Sequence, residues 1–126
     1  MRIALALLAC ALAATASAAP MPAPARAEVD ALLSRLQSSG CEFNRNGSWY
    51  VGAEAKAHLL KKLDYLEGKD MVQTAEQFIA RGASSSSMSG KPYLVRCAGK
   101  APVESARWLR GELQQLRAAR AASSPR

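Results

Sequence analysis

The chain has one histidine, three cysteines and no Cys-x-x-Cys pair among its 126 residues. A lone histidine without free thiolates cannot complete the ligand set of a zinc site, and cysteines lacking a close partner or an activating neighbour do not read as redox centres. A Gly-x-Ser-x-Gly elbow is missing, and Met88 stands three residues before Lys91, where a Ser-x-x-Lys pair would need its serine. No internal repeat is present. These absences remove the common signatures of metalloenzymes, thiol oxidoreductases and serine hydrolases, and no cofactor is expected.

The N-terminus is more informative. Arg2, the apolar run Ile3–Leu12 and the small-residue site Ala16-Ser17-Ala18 have the form of a secretory leader. The run is soon followed by Thr15, Ser17 and Pro20, which is too early for a spanning helix of roughly 20 apolar residues. Residues 1–18 are therefore expected to be a signal peptide, and the processed chain a periplasmic or secreted protein rather than an integral membrane one. Seventeen Lys and Arg against ten Asp and Glu give a formal net charge of +7, which falls to +6 when Arg2 leaves. Such an excess favours an anionic cell-envelope component or a protein as partner, and the compartment argues against nucleic acid. Cys10 leaves with the leader, so Cys41 and Cys97 remain with one intramolecular pairing. Closing a loop of about 57 residues stabilises a small domain by roughly 4 kcal/mol in the chain-entropy account.

Residues 19–27, with Pro20, Pro22 and Pro24, read as an extended Pro/Ala-rich leader segment. From Glu28 the pattern changes: Val29, Leu32, Leu33 and Leu36 recur at i, i+3, i+4 and i+7, which predicts a helix closed at Gly40. Asn46-Gly47 predicts a tight hairpin within residues 41–50, and residues 93–97 are expected to pair beside it. Ala55, Leu59, Leu63 and Leu66 form the stripe of a helix over residues 52–67. Thr74-Ala75-Glu76-Gln77 reads as a capping box in which Thr74 and Gln77 satisfy each other's backbone donors, with Phe78 and Ile79 burying the helix that follows. Pro102 is suited to open a last helix with the stripe Ala106, Leu109, Leu113 and Leu116, and residues 119–126 read as a basic, fraying tail. The fold class is α+β: one helix-dominated small domain over residues 28–118, with a short antiparallel sheet and one disulfide.

Candidate contact residues fall in three segments. Asn44, Arg45 and Asn46 set amide and guanidinium groups beside Trp49 and Tyr50, the pairing of planar donors with aromatic faces that sugar and peptide sites use and that a plain turn also shows. Glu54 and His58, four apart on one helix face, can orient an imidazole for base chemistry or simply support the helix rim. The serine-dense run from Ser84 to Pro92 reads as an exposed, flexible loop in which Ser89 and Lys91, with Tyr93 behind them, are the residues to watch. A nucleophilic serine there would need His58 as its base. The crosslink between Cys41 and Cys97 is expected to bring the three segments to one edge.

Two resemblances arise at these residues. The segments Cys41-Glu42-Phe43-Asn44-Arg45-Asn46-Gly47-Ser48-Trp49-Tyr50, Glu54-Ala55-Lys56-Ala57-His58-Leu59, Thr74-Ala75-Glu76-Gln77-Phe78-Ile79, Ser86-Ser87-Met88-Ser89-Gly90-Lys91-Pro92-Tyr93 and Ala106-Arg107-Trp108-Leu109 together resemble an uncharacterised family of small secreted proteobacterial proteins, a domain of unknown function. That likeness spans nearly all of residues 28–116 and implies a Gram-negative periplasmic setting without implying an activity. Ser89-Gly90-Lys91-Pro92-Tyr93 is similar to the Ser-Gly-x-x-Tyr motif of periplasmic lysozyme inhibitors. The resemblance implies that Ser89 would bond a lysozyme carboxyl, Gly90 permit the turn and Tyr93 brace the loop. Those inhibitors are β-rich, whereas this chain reads as mostly helical. The sequence thus points to a binding or interaction module of the periplasm, with lysozyme inhibition as the alternative and a cell-wall hydrolase using Ser89 or His58 behind it.

Overall fold

Val29, Leu32, Leu33 and Leu36 are fully buried along one face of the first helix, α1 (Ala23–Ser38), as their spacing predicts. In the computed structural model, which describes Ala4 and residues 20–123, this helix begins earlier than the proline content predicts. The signal peptide expected over residues 1–18 lies outside the described residues, Ala4 apart, as do residues 124–126. Pro22 takes the N-cap and Pro24 falls in the first turn, where the N–H groups lack helical partners in any case, so proline costs nothing there. Residues 23–27 are thus helical rather than an extended leader. Met21 is buried, and its N–H donates to Glu67 Oε2 at 3.2 Å, anchoring the chain ahead of the helix.

Two strands follow, β1 (Glu42–Arg45) and β2 (Ser48–Val51), joined by Asn46-Gly47 with both residues at positive φ, 52° and 87°. That is the twist a two-residue hairpin turn requires. Helix α2 (Gly52–Gly68) starts directly after β2 and buries Ala55, Leu59, Leu63 and Leu66. Gly52 sits there because a Cβ would lie 2.5 Å from the Leu36 carbonyl oxygen, so only glycine lets α2 cross the end of α1 this closely. Helix α3 (Ala75–Gly82) buries Phe78 and Ile79, and the Thr74 hydroxyl accepts from the Gln77 N–H at 3.0 Å. Half of the expected capping box differs: the Gln77 side chain accepts from the N–H of Gln73, one residue before the cap.

Strand β3 (Leu94–Arg96) pairs antiparallel with β1, aligning Phe43 with Val95, and the sheet order is β2-β1-β3-β4. The edge strand β4 (Val103–Glu104) is a departure from expectation. Pro102 opens no helix, because Val103 pairs with Val95 and the Ser105 N–H donates to the Tyr93 carbonyl at 2.8 Å. The last helix, α4 (Ser105–Ser123), therefore starts three residues later and continues through the first half of the expected tail, where Arg120 pairs with Glu28. A two-residue strand carries no alternation for sequence reasoning to detect.

α2 and α4 pack on the sheet, α1 packs on both, and α3 rests on the other three helices. Phe43, Tyr93 and Val95 join the helix stripes in one core. Cys41 and Cys97 are bonded just beyond the Glu42–Arg96 pair, with Cα atoms 4.2 Å apart, so the crosslink closes the end of the β1–β3 ladder. The fold class is the expected α+β one. No helix among the described residues is long and apolar enough to cross a membrane.

Candidate functional site

The side of α2 that borders its apolar stripe carries His58, Lys61, Lys62 and Tyr65, again at i, i+3, i+4 and i+7. This second stripe forms one wall of a cleft of about 410 Å³. Arg45 and Asn46 at the β1–β2 turn form a second wall, and Ser86, Ser87 and Met88 form the third, with Tyr93 at the base.

The third wall is the serine run. Far from lacking partners, it closes on itself: Ser86 N–H donates to the Lys91 carbonyl at 3.0 Å and Gly90 N–H to the Ser86 carbonyl at 2.9 Å. Ser86 is buried, and its hydroxyl oxygen accepts from the N–H groups of Met88 and Ser89, each at 3.3 Å. Gly90, at φ 71°, provides the left-handed residue that the return needs. The Ser89 hydroxyl donates to Asn46 Oδ1 at 2.6 Å and so latches the loop to the hairpin.

Tyr93 is the hub. It is 2 % exposed, its ring packs 5.0 Å from that of Phe43, and its hydroxyl lies 3.2 Å from His58 Nε2 and 3.1 Å from Lys62 Nζ. Lys62 also donates to the Ser85 carbonyl at 3.0 Å, which ties α2 to the loop. Arg45 Nη1 sits 2.6 Å from His58 Nδ1, and its guanidinium lies 5.0 Å from the centre of the Tyr50 ring. A guanidinium can only donate, so Nδ1 must carry the lone pair and Nε2 the proton. His58 then donates to Tyr93, whose oxygen accepts from both His58 and Lys62. The phenolic proton is left without a protein acceptor among the described residues.

Electrostatics fix the same protonation state. Burial, and then the charges of Arg45, Lys62 and Lys61, hold the His58 imidazolium far below its usual range, at about 4, so the ring is neutral near pH 7. Burial also pushes the Lys62 ammonium down and the Tyr93 phenol up. None of Arg45, Lys61 and Lys62 forms an ion pair with a carboxylate, although seven such contacts occur elsewhere among the described residues. The base of the cleft is thus a neutral imidazole and a phenol among three cations that bond no carboxylate, Glu54 lying in the adjoining hollow. No cluster of three His, Cys, Asp or Glu side chains suited to a metal ion occurs among the described residues.

Of the residues singled out by sequence, Arg45, Asn46, His58 and Tyr93 meet in this cleft. Tyr50 and Glu54 line a smaller neighbouring hollow of about 240 Å³ on the other side of Arg45 and His58. Glu54 makes no hydrogen bond to His58, so neither the catalytic pair nor the simple rim pair is formed; Arg45 and Tyr93 hold the imidazole instead. Asn44 serves the turn, accepting from Gly47 N–H at 3.2 Å. Ser89 stands at the rim, and Lys91 is exposed and lines neither hollow. Sequence reasoning missed Lys61, Lys62, Ser86 and Met88. The first two were legible as the polar counterpart of the α2 stripe.

Among curated proteins, the chain is 44% identical over 68 residues to the uncharacterised protein YfeK of Salmonella typhimurium, an overlap that covers 53% of this chain and 55% of that protein. The chain thus spans about half the length of the curated relative it matches. No solved structure gives a significant match. Residues 23–117, from the start of α1 nearly to the end of α4, match DUF5329, a family of unknown function, and the chain belongs to that family.

Proposed function

We propose that this protein is a periplasmic binding module, delivered by its N-terminal signal peptide, whose cleft between α2, the β1–β2 turn and the serine loop takes an anionic ligand from the cell envelope. One observation carries the reading: Arg45, Lys61 and Lys62 converge on a cleft whose lining holds no carboxylate, and none of the three forms an ion pair among the described residues, Glu54 lying in the adjoining hollow. Lys62 is held partly out of water by its bonds to Tyr93 and Ser85, and a charge held this way is costly unless a partner supplies the opposite sign; the exposed Lys61 adds attraction without that cost. The Tyr93 hydroxyl adds a spare donor at the base. Neutral His58 acts as the spacer that keeps Arg45 and Tyr93 in register, which leaves it without a role as base. The disulfide fits an oxidising compartment.

The test is retention of the purified, oxidised protein on anionic envelope material, including whole peptidoglycan sacculi, in low and in moderate salt. Cleft binding survives moderate salt, because partly buried pairs are screened less than exposed ones. It is expected to be lost in Lys62→Met and kept in Arg110→Gln, which removes the same charge from an exposed position on α4. Equal losses in the two variants would reduce the interaction to net charge and overturn the reading. A parallel arm with c-type lysozyme separates the inhibitor alternative, in which Ser89→Ala abolishes binding and Lys62→Met does not.

A further inference from the structure

The cleft is not cationic throughout. Its outer lip carries two of the few large apolar side chains that the fold leaves in water: Met88 is 95 % exposed at the top of the serine loop, and Tyr65 is 64 % exposed on α2. Neither has a core to join. Among the described residues the only ring contact of Tyr65 is with Lys69, whose ammonium lies 5.9 Å from the ring centre. Tyr65 lies seven residues after His58 on the same helix face; Tyr93 is buried and Arg45 and Lys62 are half-buried, whereas Tyr65 and Met88 are exposed, so the phenol and these two cations lie deeper than the apolar groups at the mouth.

This ordering is a chemical specification. A bare inorganic anion would satisfy Arg45, Lys62 and the Tyr93 hydroxyl and leave Tyr65 and Met88 in solvent. A diacyl lipid has far more apolar volume than a 410 Å³ hollow admits. A ligand with one anionic head and one compact apolar body fills both levels. Methionine suits such a lip, being unbranched and adaptable, and it makes favourable contacts with aromatic rings. Resting on the anion-binding reading above, we infer that the ligand is a small soluble amphiphile, a phosphate or carboxylate attached directly to an aromatic ring or short chain, with its head on Arg45, Lys62 and Tyr93 and its body between Tyr65 and Met88.

Calorimetric titration with phenyl phosphate and with inorganic phosphate tests this. Phenyl phosphate is expected to bind about tenfold more tightly, the gain from one partly buried ring. The double variant Tyr65→Ser/Met88→Ser, altered only at exposed side chains, should lose that preference while its affinity for inorganic phosphate stays unchanged. Lys62→Met should lose both ligands. If both phosphates bind equally well, the amphiphile inference fails and the anion reading stands. If phenyl phosphate binds Lys62→Met as well as the natural protein, the anion reading fails and the cleft is merely apolar. Vesicles of phosphatidylglycerol form a third arm: binding to them without binding of phenyl phosphate would assign the surface to membranes and overturn the inference.

Discussion

Two regions of this small domain handle charge in opposite ways. Along the seam where α1 meets α4, Glu28 receives Arg117 and Arg120, each at 2.9 Å, and Arg35 reaches Glu112 at 2.9 Å, so each of these charges has a partner. Arg117 also pairs with Glu76 on α3. On the α2 face, Arg45, Lys61 and Lys62 surround a cleft with no carboxylate among them. A chain with ten acidic residues could have placed one there. The contrast separates charge that serves the fold from charge held for something outside it, and each region can be broken on its own.

The largest effect should come from the crosslink, because it ties the strand that carries Arg45 to the one that Tyr93 leads into. Removing it in Cys41→Ala/Cys97→Ala is expected to lower unfolding stability by about 3–4 kcal/mol, measured by denaturant titration. The α1–α4 seam has no covalent part in this. A loss under about 1 kcal/mol would mean that sheet pairing and the packing of Phe43 on Tyr93 hold the cleft unaided.

Next come the charges themselves. Glu28→Gln removes the negative charge that Arg117 and Arg120 share, leaving only an amide oxygen to accept from them, and should cost about 1 kcal/mol at neutral pH, a value discounted for the partial exposure of both arginines. Lys62→Met does the reverse: it gives up the bonds to Tyr93 and Ser85 but also the cost of a half-buried cation that pairs with no carboxylate, so stability should hold within about 0.5 kcal/mol or rise. A Lys62→Met variant as destabilised as Glu28→Gln would show that both regions are structural and erase the distinction.

Legibility in the sequence follows the same division. Helical stripes at 3.6 spacing and the Asn46-Gly47 turn were readable because each depends on local pattern alone, and the two mature cysteines left one pairing. The start of α1 was misread because a proline at the N-cap and another in the first turn look like breakers unless the helix is known to begin there. β4 was invisible because two residues owe their strand geometry to Leu94 and Val95 across the sheet. The cleft was half legible. Arg45, His58 and Tyr93 were singled out, but their relation was set by a contact between a turn and a helix thirteen residues apart, and Glu54, at the sequence spacing of a helix pair, proved irrelevant to His58. Serine content alone could not reveal that Ser86 would be buried as the acceptor holding its own loop closed.

The smallest effect also distinguishes the two regions most cleanly, because they titrate in different windows. His58 is depressed from 6.5 to about 4, so between those values the unfolded chain takes up a proton that the native chain refuses, and stability falls as the solution is acidified. Glu28, bonded by Arg117, is depressed from 4.5 to about 2, so its contribution is intact above 4.5 and is lost only as the pH falls towards 2. His58→Gln preserves the geometry, since the amide oxygen can accept from Arg45 while its NH₂ donates to Tyr93. Stability profiles of this variant and the natural protein should therefore diverge between pH 6.5 and 4, by about 1 kcal/mol after allowance for solvent screening, and run parallel below. Glu28→Gln should leave the upper window untouched and flatten the lower one. An anion seated beside His58 offsets the three cations that oppose its protonation, so saturating phenyl phosphate should shrink the upper-window slope more in the natural protein than in His58→Gln, the ligand's own proton uptake at about pH 6 being common to both. If the ligand changes the two slopes alike, it lies away from Arg45 and Lys62, and the charge of the cleft has some other purpose.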